Sequence, residues 1–222
     1  KQQQQVIWST EEIDFSQDDV DWKKMDEDTK HFILTIIAFF AGSDMLIIDN
    51  LMDNFMSEVT VAECKTFYTL QAFVETIHSE TYSLMLTKFA KGKNDELFDA
   101  INKIESIKAK ADWARKYMDN SLPFEHRLWA FIIFEGVLFS ASFCSLYWLR
   151  TKNLCHGLTF SNELIARDEA LHASFGVEMF KMIKNKPSKV HIHRILNDAI
   201  KCEMSFVEEA LPKKLKGINA DT

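Results

Sequence analysis

Apolar residues recur at helical spacing along most of this 222-residue chain, and short polar or Pro- and Gly-marked breaks divide the pattern into six long segments. Several segments are apolar on more than one face, which is typical of helices at the centre of a bundle. Asp26 is a candidate N-cap of the first segment, and Gly157 is expected to lie in the break after the fourth. The predicted helices lie near 26–57, 61–90, 94–119, 122–151, 159–184 and 187–209. The pattern predicts one all-α domain over residues 1–222, with a polar segment, 1–25, on the surface of the bundle.

Composition supports a helical fold and argues against nucleic acid as a partner. Only six Gly and three Pro are present, which disfavours a fold of strands and tight turns. The net charge of −7 opposes binding to nucleic acid phosphates. The four cysteines form no C-x-x-C pair, and a helical core of this size needs no disulfides, so a reducing compartment, by default the cytoplasm, is expected. The opening residues lack the apolar stretch of a signal peptide, and the start is expected to be internal.

One apolar run, residues 32–48, raises the alternative of a membrane span. Asp44 interrupts this run before the ~18 uninterrupted apolar residues that a span needs. A buried bundle helix explains the apolar run together with its acid, so no membrane is predicted as a partner.

Two lone acids stand within apolar helical segments. Glu135 is the one charge within FIIFEGVLFSASF, residues 131–143, and no cation in that stretch can pair with it. Asp44 is likewise the one charge within the apolar run 32–48. Burying even one unpaired carboxylate costs roughly several kcal/mol. Each acid therefore needs a compensating partner from another part of the chain.

The sequence holds two E-x-x-H stretches, Glu75 to His78 and Glu169 to His172. Positions i and i+3 share a helix face, so each stretch can bring a carboxylate and an imidazole to one point. A lone acid precedes the first stretch by 31 residues and the second by 34, which makes a faint internal repeat. Two such half-sites facing each other would place four carboxylates and two imidazoles within a four-helix core.

Two divalent cations would neutralise such a cluster. Mixed carboxylate and imidazole ligands favour iron or manganese, since zinc prefers fewer ligands and calcium and magnesium prefer oxygen alone. A single Glu-x-x-His is more often an ordinary surface motif, but two copies with preceding acids match the ligand pattern of dinuclear carboxylate bundles. The predicted metal ligands are Asp44, Glu75, His78, Glu135, Glu169 and His172.

The ligands alone do not select among an iron store, a desaturase, a hydroxylase and a radical generator. Tyr82 stands four residues after His78, one turn along the same helix face, which places its phenol near the predicted metals. A core tyrosine with an ordinary hydrogen bond is the alternative interpretation.

Longer strings carry a resemblance that covers the chain from about Trp8 to Asn219. FAGSDM, ETIHSETYSL, KADWARKY, FEGVLFSASF, LTFSNELIARDEALH and EALPKKL are similar to strings of the small, radical-generating subunit of class I ribonucleotide reductase. This resemblance implies a ferritin-like helical bundle whose four-helix core holds two iron ions per chain, with manganese possible, oxo-bridged after reaction with oxygen. The six predicted ligands match the metal ligands of that family.

The resemblance also implies roles for residues around the metals. Tyr82 would be the tyrosine oxidised to a stable radical, in an apolar pocket formed by Phe139, Phe143 and Ile165. Such a radical survives where water and reductants are kept away.

An electron-transfer route is implied as well, from a surface tryptophan, Trp8, through Asp168 to His78. Trp8 could instead be a packing anchor and Asp168 a surface acid. A carboxylate beside a metal-binding histidine is nevertheless well placed to accept the other N–H of the imidazole.

The implied activity is that of a ribonucleoside-diphosphate reductase, in which a homodimer of this chain supplies the oxidising equivalent to a large catalytic subunit for deoxyribonucleotide synthesis. The family continues beyond GINADT with a further helix and a flexible tail, and neither is present here. The sequence is therefore expected to be the ordered part of a longer protein. A ferritin-like store and a non-catalytic scaffold that pairs with an active homologue stay open as alternatives.

Overall fold

The structure is a computed structural model that describes residues 1–91 and 97–220. These residues are mostly helical, and the β structure among them is limited to one isolated bridge between Leu215 and Ile218. The all-α prediction is confirmed. The α-helices are α1 (Gln2–Gln5), α2 (Asp18–Lys24), α3 (Glu27–Glu58), α4 (Ala62–Phe89), α5 (Ala100–Lys103), α6 (Glu105–Met118), α7 (Phe124–Thr151), α8 (His156–Met182) and α9 (Lys189–Ala210).

Two of the long helices pass through a π-helical turn. The turn covers Leu51–Phe55 in α3 and Phe134–Leu138 in α7. A π turn pairs each N–H with a carbonyl five residues back, so it adds a residue to the helix and shifts the face on which later side chains lie. Glu135 lies inside the second π turn, at an irregular point of its helix.

The predicted helices agree with the observed ones to within a few residues, with two exceptions. Ile104 has an extended backbone (φ −91°, ψ 118°) that separates α5 from α6, so the single helix predicted there was wrong; its first residues, 94–96, lie outside the described residues. α8 begins at His156, which places Gly157 in its first turn and not between helices. A Cβ at Gly157 would lie 2.5 Å from the carbonyl oxygen of Asp14, so this close approach requires glycine.

Four helices surround the centre of the protein. α3 packs against α4, α7 against α8, and α4 against α8, while α9 covers α6 and α7. The side chains between them are largely aromatic, and Phe39, Phe40, Phe139 and Phe206 are each 1% exposed. Burial of one large apolar side chain contributes about 1.5–3 kcal/mol, so these contacts hold the helices in a fixed arrangement.

The segment before α3 is predicted to be polar, but apolar side chains anchor it to the bundle. Trp8, Phe15 and Trp22 are all buried. The segment ends at the predicted cap, where Oδ1 of Asp26 accepts a hydrogen bond from the N–H of Thr29 at 2.8 Å. Its packing on the bundle fixes the start of α3.

Two helical stretches, Glu27–Glu58 and Phe124–Thr151, are long and apolar enough to span a membrane by length and composition. Within their most apolar windows, 67% and 61% of the residues are buried inside the protein. Such burial is typical of core helices, and it agrees with the bundle role predicted for residues 32–48.

Asp18 joins the N-terminal segment to the start of α8. Its buried carboxylate accepts the N–H of Gly157 at 2.9 Å and the N–H of Leu158 at 2.8 Å. Both N–H groups belong to the first turn of α8, where the helix itself offers no acceptor. A negative charge is also favourable at this end of a helix. Asp18 thereby fixes the end of a helix that carries four predicted site residues, Ile165, Asp168, Glu169 and His172.

We expect Asp18→Ala to lower the free energy of unfolding by about 2–3 kcal/mol, because it leaves buried N–H groups without an acceptor. Asp18→Asn keeps one acceptor oxygen and should cost about half as much. Urea unfolding measures these changes. Asp19→Ala is the control, since it removes only a partly exposed ion pair with Lys88 and should cost less than about 1 kcal/mol. Equal losses in the Asp18→Ala and Asp19→Ala proteins would contradict the capping role.

Candidate metal centre

The four central helices contribute side chains to one buried cluster. Atoms of Glu75, Glu135, Glu169 and His172 lie within 4.8 Å of one another. His78 contacts two of these carboxylates, and Asp44 borders them. The structure thus brings together all the predicted ligands, each at most 3% exposed: Asp44 from α3, Glu75 and His78 from α4, Glu135 from α7, and Glu169 and His172 from α8.

Glu75 and Glu169 lie between the two imidazoles. Nδ1 of His78 is 3.2 Å from Oε2 of Glu75 and 3.0 Å from Oε1 of Glu169. Nδ1 of His172 is 3.0 Å from Oε1 of Glu75 and 3.3 Å from Oε2 of Glu169. Each carboxylate therefore presents one oxygen to each histidine. Both carboxylates and both imidazoles would therefore be available to hold cations at this point.

Glu135 and Asp44 supply the remaining carboxylates. Among the described residues, Oε2 of Glu135 and Oδ2 of Asp44 have no hydrogen-bond partner. Oε1 of Glu135 accepts a hydrogen bond from Nε2 of Gln71 at 2.5 Å. Sequence reasoning missed Gln71, although its position four residues before Glu75 on the same face of α4 could have indicated it.

Burial and repulsion favour the neutral forms of two of the acids. Burial raises the pKa of Asp44 well above its usual value, and the negative charge of Glu75 raises it further. Burial also raises the pKa of Glu135, and the charge of Glu169 adds to this effect. Left to the side chains alone, Asp44 and Glu135 would therefore hold protons.

The hydrogen bonds at the centre of the cluster favour the charged forms of both imidazoles and of Glu75. Burial by itself lowers the pKa of His172, but its hydrogen bonds to Glu169 and Glu75 outweigh burial and raise the pKa to about 10. Burial likewise opposes the charged form of His78, whose hydrogen bonds to Asp168, Glu169 and Glu75 raise its pKa well above the usual value. Burial also opposes ionisation of Glu75, yet the bonds from both imidazoles lower its pKa to about 2.

This donor set fits two divalent cations. Four carboxylates and two imidazoles supply oxygen and nitrogen ligands of the kind that iron and manganese bind, with no thiolate among them. The unpaired oxygens of Asp44 and Glu135 are acceptors that a cation would use. Divalent cations would supply, in place of protons, the positive charge that the buried acids require.

Comparison with known proteins agrees with this geometry. The family described as "Ribonucleotide reductase, small chain" matches residues 1–222. This chain belongs to that family. It is 44% identical over 224 residues to the ribonucleoside-diphosphate reductase small chain of Spisula solidissima, a match that covers 100% of this chain and 58% of that relative.

Solved structures of ribonucleotide reductase proteins share the fold. The Rnr4 homodimer of Saccharomyces cerevisiae superposes with a TM-score of 0.87 at 30% identity, over 98% of this chain and 70% of that chain. The dimanganese(II)-NrdF of Streptococcus sanguinis superposes with a TM-score of 0.86 at 20% identity, over 94% of this chain and 76% of that chain. The small-chain sequence described here is thus shorter than the relatives that it matches.

In this member of the ribonucleotide reductase small-chain family, Tyr82 lies buried beside the cluster. It is 1% exposed, and its hydroxyl has no hydrogen-bond partner among the described residues. Burial raises the pKa of the phenol well above its usual value, and the charge of Asp44 raises it further. The phenol therefore stays neutral, and any oxidation of its ring must remove a proton as well as an electron.

Phe40 connects Tyr82 to the predicted pocket. Its ring stacks on Tyr82 with the centroids 4.7 Å apart and the planes at 5°. The same ring lies 5.3 Å from the centroid of Phe139 and 4.8 Å from that of Phe143. Ile165, the third predicted pocket residue, is buried in the same hydrophobic core. Sequence reasoning missed Phe40, which stands four residues before Asp44 in α3.

Trp8, Asp168 and His78 form a continuous hydrogen-bonded chain. Nε1 of Trp8 donates to Oδ2 of Asp168 at 2.8 Å, and the same oxygen lies 3.3 Å from Nε2 of His78. The expectation of a surface tryptophan was wrong, because Trp8 is only 5% exposed. Arg167 explains part of this burial, since it donates to the carbonyl of Val6 at 2.8 Å and so holds the segment that carries Trp8 against α8.

His172 has a different partner on its outer side. The amide nitrogen of Gln3 lies 2.8 Å from Nε2 of His172, and the amide oxygen of Gln3 has no partner among the described residues. Amide nitrogen and oxygen are assigned from their contacts, and a rotated amide would accept the imidazole N–H. Gln3, which sequence reasoning missed, thus occupies the place at His172 that Asp168 occupies at His78.

We expect two divalent cations to displace about four protons, because Asp44, Glu135, His78 and His172 all have raised pKa values and must deprotonate to act as ligands. Protons therefore compete with the metal, and the affinity should rise with pH. Calorimetric titration with Mn²⁺ without oxygen, in buffers of different ionisation enthalpy, counts the protons. Asp44→Asn should remove about one proton from the count. A pH-independent affinity with no proton release would contradict these protonation states.

Proposed function

We propose that this chain is the part of a ribonucleoside-diphosphate reductase small subunit that holds a dinuclear metal centre and stores an oxidising equivalent as a radical on Tyr82. The observation that carries the proposal is the position of a buried phenol, which has no hydrogen-bond partner among the described residues, next to four carboxylates and two imidazoles. Family membership supports it, but the ligands alone also suit other oxygen-using proteins.

The six cluster residues would hold the metals. Glu75 and Glu169, whose oxygens face Nδ1 of both histidines, would hold the ions together with His78 and His172. Asp44 and Glu135 would supply the other two carboxylate ligands. When bound and reduced, two iron or manganese ions would supply the electrons that activate oxygen. We favour iron, with manganese as the alternative, which the dimanganese relative supports.

The protein would protect the radical by excluding water and reductants from Tyr82. The ring of Phe40 covers one face of the phenol, and Phe139 and Phe143 lie behind it. Tyr82 must lose a proton when it is oxidised, and Asp44 is the acid whose charge acts on it most strongly. A pocket of this kind slows reduction of the radical because no polar molecule can approach the ring.

Trp8, Asp168 and His78 would carry an electron between the protein exterior and the metal centre. Oδ2 of Asp168 accepts the indole N–H and also lies within hydrogen-bond distance of the imidazole, so it orients both rings. Asp168 would in addition fix the tautomer of His78 that leaves Nδ1 free for a metal. This route supports the proposed transfer of the oxidising equivalent to a separate large catalytic subunit.

We further propose that the small chain acts as a homodimer in the cytoplasm. The yeast Rnr4 relative is a homodimer, and apolar side chains such as Phe73 and Met45 stand half exposed on α4 and α3. Exposed apolar side chains of this kind are compatible with a buried subunit interface.

We expect the full-length protein, given Fe²⁺ and oxygen, to show the electron paramagnetic resonance signal of a tyrosyl radical and to bind about two metal ions per chain. Tyr82→Phe should abolish the signal and keep the metal, because the substitution removes only the oxidisable hydroxyl. Tyr68→Phe is the matched control: Tyr68 is another buried tyrosine of α4, its hydroxyl donates to Sδ of Met179 at 3.1 Å, and its removal should leave the signal intact.

Persistence of the signal in the Tyr82→Phe protein would remove Tyr82 from its proposed role. Uptake of many irons per chain would instead favour a ferritin-like store. A scaffold that pairs with an active homologue would keep its function in Asp44→Ala, whereas a radical generator would lose it.

A further inference from the structure

Lys110 of α6 is fully buried and sits between charged, polar and aromatic partners. Its Nζ lies 2.6 Å from Oε2 of Glu203 and donates to the carbonyl oxygen of Leu138 at 2.7 Å. The rings of Phe39 and Phe206 cover the ammonium at 3.6 Å and 3.8 Å from their centroids. The cation is therefore held by a carboxylate, a backbone carbonyl and two aromatic rings.

Lys110 and Glu203 together bind the backbone of α7 at one irregular point. Leu138 is the last residue of the π turn, and its carbonyl accepts from Lys110. Ala141 lies in the first turn of the α-helical part that follows, and its N–H donates to Oε1 of Glu203 at 3.0 Å. N–H groups in a first turn lack acceptors in their own helix. The ion pair thus spans the change from π to α geometry.

The same π turn carries a proposed metal ligand. Glu135 is the second residue of the turn that Lys110 holds at its last residue. A regular helix in place of the π turn would move one of these residues around the helix axis relative to the other, since the turn holds one extra residue. The position of the Glu135 carboxylate therefore depends on the π turn being kept.

A contribution to stability does not by itself explain why this ion pair is buried. Burial lowers the pKa of Lys110 to about 8 in spite of the attraction of Glu203, which shows that the charge is costly at this position. Replacing a buried ion pair with apolar residues is often neutral or stabilising in other proteins. A costly pair whose two members bind the same backbone segment is better explained by the geometry that it imposes.

We propose that Lys110 and Glu203 are positioning residues that hold the π turn of α7 and thereby place Glu135 for metal binding. The inference rests on the proposed metal centre. In this role neither Lys110 nor Glu203 contacts the metal or Tyr82. Their effect is limited to the cation position that uses Glu135, so the position that uses Asp44 should not need them.

The double variant Lys110→Met with Glu203→Gln tests this assignment, because it removes the ion pair and leaves no unpaired charge. Titration of the full-length protein with Mn²⁺ without oxygen should show one ion bound about tenfold or more weakly and the other unchanged. Hydrogen exchange of the backbone amides over residues 138–142 should be faster even without metal. Glu203→Gln alone keeps an acceptor for Ala141 and should give a smaller effect in the same direction if the double variant does not fold.

The control is the ion pair of the buried Arg127, near the start of the same helix, with the partly exposed Glu58. Arg127→Met with Glu58→Gln should lower stability and leave both Mn²⁺ affinities unchanged. If the double variant bound both Mn²⁺ ions equally weakly, the cause would be a general loss of stability, and the inference would be overturned. The inference would also be overturned if the control variant lost affinity for the same single Mn²⁺ ion. Unchanged affinities and exchange rates would overturn it as well. A wild-type protein that binds no Mn²⁺ would contradict the proposed function, and the exchange rates would then still test the π turn.

Discussion

The fold depends on balancing the charge of four carboxylates and two imidazoles in a region that water does not reach. The core around them is aromatic and closely packed, so neither solvent nor surface lysines can neutralise the acids. Glu75 and Glu169 lie close to both imidazoles, while Asp44 and Glu135 each keep an oxygen that has no hydrogen-bond partner in the part of the chain that the structure describes. Side chains alone can balance this cluster only by binding protons. A pair of divalent cations would balance it without protons, which would explain the placement of acids in otherwise apolar helices.

The two halves of the cluster resemble each other in their ligands and differ in their supports. His78 has a carboxylate at its outer nitrogen, Asp168, which also binds Trp8. His172 has the neutral amide of Gln3 at the corresponding nitrogen. A carboxylate partner makes an imidazole a stronger electron donor than an amide partner does. The two cation positions should therefore differ in affinity and in redox behaviour, and the position of His78 is the one connected to the tryptophan.

Sequence reasoning was most successful where several residues of one type repeat at helical spacing. The two E-x-x-H stretches and the lone acids Asp44 and Glu135 predicted a cluster that the structure brings together. The sequence did not indicate Gln71, Gln3 or the pair of Lys110 and Glu203. A single polar residue in a helix does not show which distant residue it will contact. Sequence reasoning also missed the π turns and the break at Ile104. A π turn needs only one additional residue, and this leaves the apolar pattern of the flanking helix almost unchanged. Gly157 was interpreted as a helix break, although its role is to permit a close approach of Asp14.

The most direct test of the central claim is anomalous X-ray scattering from crystals of the metal-loaded protein, recorded at the absorption edge of iron or manganese. The account predicts two peaks per chain, one beside Nδ1 of His78 and one beside Nδ1 of His172, with Glu75 and Glu169 in contact with both. A single peak, or metal bound away from these residues while Asp44 and Glu135 stay protonated, would contradict it.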